Sequence, residues 1–233
     1  MNVRVGTSGY SYAEWKGNFY PEKMAAKDML HYYAEHFPTV EINNTFYRMP
    51  KEDLLSGWAA QVPESFQFVI KASQRITHIR RLKECAEELG YLYRVTATLQ
   101  ARLGPLLFQL PPNFRKDVPR LQGFLDAMPE KRRVAIEFRH ASWFDDETFQ
   151  ALRNQGVALC VADTGEEPVV PLVATTDWGY LRLRREDFSD ADLKDWAKKI
   201  RAQPWNAAYV FMKHEEEGRG PKLAARLIEI LRG

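Results

Sequence analysis

Short apolar stretches alternate along the chain with amphipathic stretches, and this alternation constrains the fold more than any other feature. Apolar residues at every second position predict strands, whereas apolar residues three and four apart predict helices. The predicted strands cover residues 2–6, 39–43, 66–71, 104–110, 133–139, 157–162, 179–184 and 207–213. The predicted helices cover residues 23–37, 51–61, 81–101, 117–127, 145–155, 189–202 and 220–231. Such an order is typical of parallel strands joined by helical crossovers.

Eight predicted strands in a chain of 233 residues fit a single (β/α)8 barrel domain of the TIM type, spanning residues 1–233. An open doubly wound sheet is the alternative, but no Gly-x-Gly-x-x-Gly follows the first strand. The sixth crossover is expected to be irregular. Because residues 164–176 contain Pro168 and Pro171, we predict an extended or loop connection in place of a helix.

Composition predicts a soluble cytoplasmic protein without a membrane partner. Apolar residues make up 45% of the chain, and the formal net charge of +2 gives no general attraction to nucleic acid or membranes. The two cysteines, Cys85 and Cys160, form neither a disulfide framework nor a paired zinc motif, so we expect buried free thiols. The N-terminus enters a strand directly, and the chain has no run of about 18 apolar residues.

Residues 136–144, which read IEFRHASWF, carry the most informative local pattern. Because side chains alternate between the two faces of a strand, Glu137 and Arg139 share one face while Ile136 and Phe138 share the other. An acid and a base at the end of a buried strand cost desolvation energy unless they pair or bind a ligand. The pattern therefore indicates the edge of a site.

The same alternation separates an apolar face from a polar-ended face on most strands. The apolar residues, which should face the helices, are Val3, Val5, Val40, Ile42, Phe66, Phe68, Ile70, Leu106, Phe108, Leu110, Val134, Ile136, Phe138, Leu181 and Leu183. The strand ends carry three acids and five bases, namely Glu41, Glu137 and Asp163 against Lys71, Arg139, Arg182, Arg184 and Lys213. Catalytic groups of TIM barrels lie at these ends, and excess positive charge there favours an anionic ligand.

We therefore predict a site for a small anionic substrate or phosphate, phosphate-bearing or sugar-like, at the C-terminal mouth of the barrel. The predicted catalytic residues are Glu137, Glu41 and His140, with a carboxylate as general acid or base. The predicted substrate-binding residues are Arg139, Lys71, Arg182, Asn43, Gln109, Tyr10, Trp15, Trp143 and Lys213. The alternative for each residue is a structural hydrogen bond, ion pair or packing contact.

The sequence carries no fingerprint of a redox or nucleotide cofactor, and we predict none. It contains neither a P-loop nor a Gly-x-Ser-x-Gly elbow. A divalent metal would need convergent histidines and carboxylates. The candidates are Glu41, Glu137, His140, Asp163, His214 and His78, and no pair has a typical ligand spacing. We therefore assign no metal ligand and keep a divalent metal as an alternative.

Six segments together resemble the domain-of-unknown-function family number 72, also called YecE-like. They read GTSGYSYAEWKGNFYP, VEINNTFYRMP, FVIKASQRITH, LGPLLFQLPPNF, IEFRHASWF and TTDWGYLRLR, in family order over nearly the whole chain. The Glu-Phe-Arg-His-x-Ser-Trp stretch is especially specific. The resemblance implies a TIM-type barrel and no particular reaction. A distant likeness to metal-dependent barrels such as endonuclease IV and xylose isomerase is an analogy of fold alone.

Two strand ends depart from the usual pattern of this family. Strand seven usually ends Arg-Leu-His-Gly, whereas this chain has Arg184 and Arg185 after Leu183. Strand eight usually ends in asparagines, whereas this chain has Lys213 and His214. Both changes lie at the predicted mouth and make it more basic, so they weaken the transfer of any family site to these positions.

Three functions remain open at this stage. The first is an enzyme of hydrolase or isomerase type. The second is a nucleic-acid-binding or endonuclease-like barrel, in which Arg75, Arg80, Arg81 and Arg219 would contact a strand. The third is a non-catalytic barrel that binds a ligand or partner, which would be favoured if the mouth were plugged and Glu137 merely paired with Arg139. The oligomeric state is left open.

Overall fold

The computed structural model, which describes residues 1–129 and 131–233, contains a closed barrel of eight parallel strands in chain order. The strands are β1 (Asn2–Ser8), β2 (Thr39–Ile42), β3 (Gln67–Lys71), β4 (Leu103–Gln109), β5 (Val134–Glu137), β6 (Ala158–Asp163), β7 (Trp178–Leu183) and β8 (Ala207–Met212). Parallel pairing of β8 with β1 closes the sheet. The TIM-type fold predicted from the sequence is confirmed.

The strands are joined by α-helices on the outside of the barrel. They are α1 (Met29–His36), α2 (Glu52–Ala59), α3 (Ala86–Thr96), α4 (Val118–Asp126), α5 (Asp146–Gln155), α6 (Asp190–Arg201) and α7 (Arg219–Arg232). The irregular sixth crossover predicted from the sequence is confirmed, because no helix lies between β6 and β7 in this fully described stretch. No helix within the two described ranges is long and apolar enough to cross a membrane.

Two helices are shorter than the sequence pattern predicted. The pattern over 23–37 becomes a helix only at Met29, and the pattern over 81–101 only at Ala86. Before α3, Arg81, Leu82 and Glu84 have φ angles of 49°, 66° and 51°. Left-handed backbone at these positions cannot continue a right-handed helix, which accounts for the late start of α3.

Side-chain caps explain where α5 and α6 begin. Oδ1 of Asp145 accepts a hydrogen bond from the backbone N–H of Thr148 at 3.0 Å. Before α6, the side chain of Ser189 and that of Asp192 cap each other's backbone N–H groups. These bonds satisfy amides that have no partner inside the helix, so each helix starts immediately after its cap residue.

The two faces of the sheet pack into separate apolar clusters. The apolar residues predicted to face the helices lie in or against the larger, outer cluster. The inner cluster, which fills the barrel, consists of Val69, Leu107, Ala135, Ala158, Cys160, Trp178, Tyr180, Tyr209 and Phe211. Both cysteines are buried and free, as predicted. Along β7, alternation places Trp178, Tyr180 and then Arg182 on the inside, so the apolar filling gives way to charge at the C-terminal end.

Candidate functional site

A buried ion-pair network around Arg182 occupies the centre of the C-terminal mouth. Nη1 of Arg182 donates to Oε2 of Glu137 at 2.6 Å, and Nη2 donates to Oε1 of Glu41 at 2.7 Å. The exposed fractions of Arg182, Glu137 and Glu41 are 2%, 1% and 0%. Because these side chains come from β7, β5 and β2, the network joins separate parts of the barrel wall.

Both carboxylate oxygens of Glu41 have further hydrogen-bond donors. The Tyr180 hydroxyl donates to Oε2 at 2.6 Å, while Ser8 Oγ and Asn43 Nδ2 donate to Oε1 at 2.8 and 3.2 Å. Burial acts to raise the pKa of Glu41, but the charge of Arg182 and these hydrogen bonds outweigh it. The pKa of Glu41 is therefore lowered, and the side chain is a carboxylate at neutral pH.

Glu137 is surrounded by three arginines. Besides Arg182, Nε of Arg139 donates to Oε1 at 2.8 Å, and Nη1 of Arg184 lies 3.9 Å from the same oxygen. Burial acts to raise the pKa of Glu137, but the three guanidinium charges lower it to about 2. A pKa this low means that Glu137 carries no proton to give at neutral pH.

These contacts bear on the acid–base role predicted for the two glutamates. Both are ionised at neutral pH, so in this arrangement neither Glu41 nor Glu137 can start a reaction as a general acid. Either could accept a proton only by weakening its bond to Arg182. The predicted catalytic role of Glu137, Glu41 and His140 stays a prediction, and the pairing of Glu137 with Arg139 matches one condition set for a non-catalytic barrel.

Two cations at the mouth have few partners. None of the ion pairs within residues 1–129 and 131–233 includes Lys71, whose Nζ lies 4.2 Å from the ring centroid of Phe46. Burial and the charge of Arg182 lower the pKa of Lys71 to about 8. Nη1 of Arg184 is buried and makes no hydrogen bond with any described residue. Lys71 and Arg184 are therefore the groups most available to an added anion.

Two cavities adjoin the charged residues of the mouth. A cavity of about 840 Å³ is lined in part by Glu137, Arg139 and Arg184. A second cavity, of about 450 Å³, is lined in part by Arg184, Lys213 and His214. Arg184 thus lines both cavities, and the mouth is not plugged on this side.

The outer wall of the larger cavity is acidic. Glu166 and Glu167, in the connection between β6 and β7, and Glu186, which follows β7, line it together with the arginines. Arg185 also lines this cavity but is paired with Asp192 at 2.8 Å. Arg139 and Arg184, beside the buried Glu137, therefore supply the positive charge that faces the acidic wall.

Of the remaining polar residues predicted for the site, Gln109 and Lys213 lie close to the network. Gln109 is 6% exposed, and its Oε1 lies 3.5 Å from Nη1 of Arg182. Burial and the charge of Arg184 lower the pKa of Lys213, whose Nζ lies 4.0 Å from Oε1 of Glu215. Tyr10 is half-buried and its ring contacts Tyr33.

The structure gives packing roles to Trp15 and Trp143, which corrects the expectation that they contact a substrate. Trp143 is fully buried, stacks on Phe138 at 4.6 Å between ring centroids and donates to the Phe114 carbonyl at 2.7 Å. Trp15 is 1% exposed, and its Nε1 donates to the Glu215 carbonyl at 2.9 Å. Neither indole has surface left for a ligand.

His140 has a local structural contact. Its Nδ1 accepts a hydrogen bond from the backbone N–H of Ser142 at 3.2 Å, which caps the short helical turn Ala141–Trp143. His140 is half-buried, so this contact does not exclude the predicted role.

Asp163 does not lie with the other strand-end acids. It follows Leu159 and Val161 on the outer face of β6, where its Oδ2 accepts from Nε1 of Trp196 at 2.9 Å. Counting it among the groups of the mouth was therefore wrong. The alternation along β6 contained the signal, because Asp163 has the same parity as its outward-facing neighbours.

Three side chains of the network, Ser8, Tyr180 and Arg184, were absent from the predicted site residues. All three lie on the inward, polar-ended set of the strand alternation, and that parity is the signal that could have selected them. Their partners could not be identified in the same way, because Tyr180 contacts a residue 139 positions away in the sequence.

The basic loop residues predicted for nucleic-acid binding have partners of their own. Nε of Arg80 lies 2.7 Å from Oε1 of Glu88, and Nη2 of Arg75 lies 3.5 Å from the same atom. Arg219 contacts Asp187 at 2.6 Å. These pairs reduce the positive charge offered to a phosphate backbone, and nucleic-acid binding stays a prediction.

The possible metal ligands of the described residues are not clustered. Within residues 1–129 and 131–233, no three or more histidine, cysteine, aspartate or glutamate side chains are grouped so that they could hold a metal ion. The oxygen atoms of Glu41 and Glu137 are instead occupied by arginine, tyrosine and serine donors.

Comparison with known proteins places the chain in a family without an assigned reaction. The family model described as "Protein of unknown function DUF72" matches residues 4–233. UPF0759 protein YunF of Bacillus subtilis is 27% identical over 232 residues, which cover 92% of this chain and 80% of that protein. UPF0759 protein YecE of Escherichia coli K12 is 30% identical over 141 residues, covering 58% of this chain and 52% of that protein.

Solved structures agree with the family match. The crystal structure of a DUF72 family protein from Thermotoga maritima has a TM-score of 0.87 and 28% identity, and the match covers 100% of both chains. A DUF72 family protein from Enterococcus faecalis has a TM-score of 0.83 at 20% identity, covering 99% of this chain and 96% of that chain, and shows likeness of fold alone.

Proposed function

This chain belongs to the DUF72 family of proteins of unknown function, and we propose that its barrel mouth binds a small compound carrying a phosphate or carboxylate group. The observation that carries the proposal is Arg184. Its Nη1 is buried without a hydrogen-bond partner among the described residues, and the side chain lines both cavities of the mouth. An unpaired buried donor is costly, and an anionic oxygen would remove that cost.

Charge at the mouth supports the same proposal. Glu41 and Glu137 are opposed by Arg139, Arg182, Arg184 and Lys71, so two carboxylates face four cations. This excess of two positive charges adjoins the cavity, which Arg139 and Arg184 line, and the network around Arg182 is buried in a setting of low dielectric. Such a setting strengthens attraction for an anion relative to the same charges in water.

The proposal includes a reaction of hydrolase or isomerase type, as expected from the sequence. Fixed guanidinium donors can stabilise negative charge that develops on a reacting oxygen. The acidic outer wall formed by Glu166, Glu167 and Glu186 favours substrates whose other end carries hydroxyl or amino groups. We therefore expect a small, polar substrate with an anionic group at one end only.

Inorganic phosphate provides the first test. We expect phosphate at about 100 times its dissociation constant to raise the melting temperature by roughly 5–10 °C, because it binds the folded state only. Arg184→Gln should weaken phosphate binding about 10- to 100-fold, since a charge-assisted hydrogen bond is lost. Arg153→Gln, a change of an exposed arginine on α5, is the matched control. Equal phosphate-induced shifts in the two variants would contradict the proposal.

Trp143→Phe separates packing from binding. The variant loses the hydrogen bond to the Phe114 carbonyl, and we expect the free energy of unfolding to fall by about 1–3 kcal/mol. The phosphate-induced shift in melting temperature should stay at the wild-type value, because the indole is fully buried and does not line the cavity. Thermal unfolding with and without phosphate measures both effects. A lost phosphate shift would restore the substrate-binding role predicted from the sequence.

A further inference from the structure

We propose that Lys71 is a nucleophilic amine that forms an imine with a small aldehyde or ketone whose anionic group is held at the barrel mouth. This proposal rests on the anion site described above and adds the class of substrate and the reacting atom. Among the four cations Arg139, Arg182, Arg184 and Lys71, only Lys71 can lose its proton and act as a nucleophile. A guanidinium does not deprotonate in proteins.

The backbone of Lys71 is held by β3 and by a hydrogen bond from the turn that follows β2. Lys71 is the last residue of β3, so it lies at the C-terminal end of the barrel, where TIM barrels place reacting groups. Thr45 Oγ1 donates to the Lys71 carbonyl at 2.7 Å and to the Ile42 carbonyl at 3.1 Å. This buried hydroxyl fastens the turn that carries Phe46 against the end of β3.

Phe46 covers the amine. The ring centroid lies 4.2 Å from Nζ of Lys71, and the Phe46 ring is itself packed edge-on against His78 at 4.9 Å between centroids. Lys71 is 9% exposed, so its side chain is largely desolvated. No ion pair within the described ranges neutralises it, which distinguishes it from a lysine kept for a structural salt bridge.

The charges around Lys71 favour its neutral form. Arg182 and Arg139 act against the protonated amine, Glu137 and Glu41 act in its favour, and burial is the largest influence. The pKa of about 8 leaves an appreciable neutral fraction near pH 7. His78, which also faces Lys71, has a lowered pKa and adds little positive charge. Desolvation and neighbouring cations are the two established ways of activating a lysine nucleophile.

The proposed step balances without a further reactant. The nitrogen lone pair of neutral Lys71 attacks the carbonyl carbon, a C–N bond forms, and the π electron pair moves to oxygen, which takes a proton from water. The nitrogen then loses a proton to solvent, and the hydroxyl group takes a second proton from solvent. The nitrogen lone pair forms the C=N bond as the C–O bond breaks and water leaves, and the nitrogen gives its last proton to solvent. The product is an imine, and its protonated form withdraws electrons from the neighbouring carbon, as isomerase-type chemistry requires.

Reductive trapping of the full-length protein tests the proposal. Glyoxylate, an aldehyde with a carboxylate, is added with sodium cyanoborohydride, which converts an iminium into a stable carboxymethyl amine. Peptide mass spectrometry then measures the rate of modification of every lysine. We expect Lys71 to react at neutral pH roughly 10-fold faster than the exposed Lys23 and Lys27, because more of it is unprotonated. Added phosphate should slow the reaction at Lys71 alone.

Acetaldehyde, which has no anionic group, is the matched probe, and it should modify Lys71 less selectively than glyoxylate does. Phe46→Leu removes the covering ring and keeps the lysine, and we expect it to reduce the preference for Lys71. Lys71→Arg should abolish the modified peptide at this position while retaining the positive charge.

The outcomes separate this proposal from the anion site. If phosphate raises the melting temperature of wild type but Lys71 reacts no faster than Lys23, the imine proposal is wrong and the anion site stands. If Lys71 reacts equally with glyoxylate and acetaldehyde and phosphate gives no protection, the proposed anionic substrate is wrong. Selective reaction with glyoxylate, slowed by phosphate, supports both.

Discussion

Replacement of Arg182 by methionine is expected to lower the free energy of unfolding by about 3–5 kcal/mol. The substitution leaves Glu41 and Glu137 buried, with exposed fractions of 0% and 1%, and removes the cation they share. An uncompensated buried carboxylate costs far more than the net worth of an ion pair. For a chain of this size the loss corresponds to a fall of roughly 6–20 °C in melting temperature, measured by circular dichroism.

Two variants control this experiment. Arg153→Met changes an exposed arginine on α5 and should leave the melting temperature close to that of wild type. The triple change of Arg182→Met with Glu41→Gln and Glu137→Gln removes the charges together, and we expect it to be more stable than Arg182→Met alone. If Arg182→Met is no less stable than Arg153→Met, the network does not hold the barrel together.

The sequence predicted the barrel because its two periodicities are local properties. Alternation with period two marks strands and also assigns each side chain to the inside or outside of the sheet. Val40 and Ile42 were therefore placed correctly in the outer cluster, and Glu41 was placed correctly on the inner face. The number of strand–helix units favoured a closed sheet over an open one, and the pairing of β8 with β1 confirms the closure.

The alternation of side chains could not predict which residues of the site contact each other. Glu41 and Arg182 are 141 positions apart, and only the curvature and register of the closed sheet bring them to 2.7 Å. Sequence alternation shows that both point inward but not that one guanidinium bridges two carboxylates. The distinction between paired and available cations, on which the proposed function depends, is thus visible only in the three-dimensional structure.

Aromatic residues were the least predictable part of the site. Trp143 lies in the most specific sequence motif, three residues after His140, yet it stacks on Phe138 under the surface. A large amphipathic ring suits both a buried hydrogen-bonded position and a ligand contact, so residue type alone does not decide between them. The hydrogen bond to the Phe114 carbonyl, 29 positions away, settles the packing role.

The cations at the mouth have two different roles. Arg182 and Arg139 are held by Glu41 and Glu137 at 2.6–2.8 Å and fix the geometry of the barrel end. Arg184 and Lys71 are positioned by the same frame without strong partners. A paired inner frame keeps the available cations rigid, and rigid donors bind an anion with less loss of side-chain entropy.

Glu137 is expected to make the protein less stable as the pH falls below about 4.5. Its pKa is lowered from 4.5 to about 2 by the surrounding arginines, which outweigh the effect of burial. A carboxyl with a lowered pKa in the folded state stabilises that state fully above 4.5, and the stabilisation is lost as the pH falls through the folded value. The difference corresponds to about 3 kcal/mol at neutral pH, of which about 2 kcal/mol is lost between pH 6 and pH 3.

Glu137→Gln isolates this contribution. The variant has lower stability at pH 6, but its free energy of unfolding should fall by about 2 kcal/mol less than that of wild type between pH 6 and pH 3. Urea unfolding at the two pH values measures the difference, and Glu87→Gln, a change of an exposed residue on α3, is the control. Glu41, whose pKa is lowered too, supplies acid sensitivity that remains in the variant. Parallel losses in Glu137→Gln and wild type would mean that Glu137 is not held ionised by Arg182, Arg139 and Arg184.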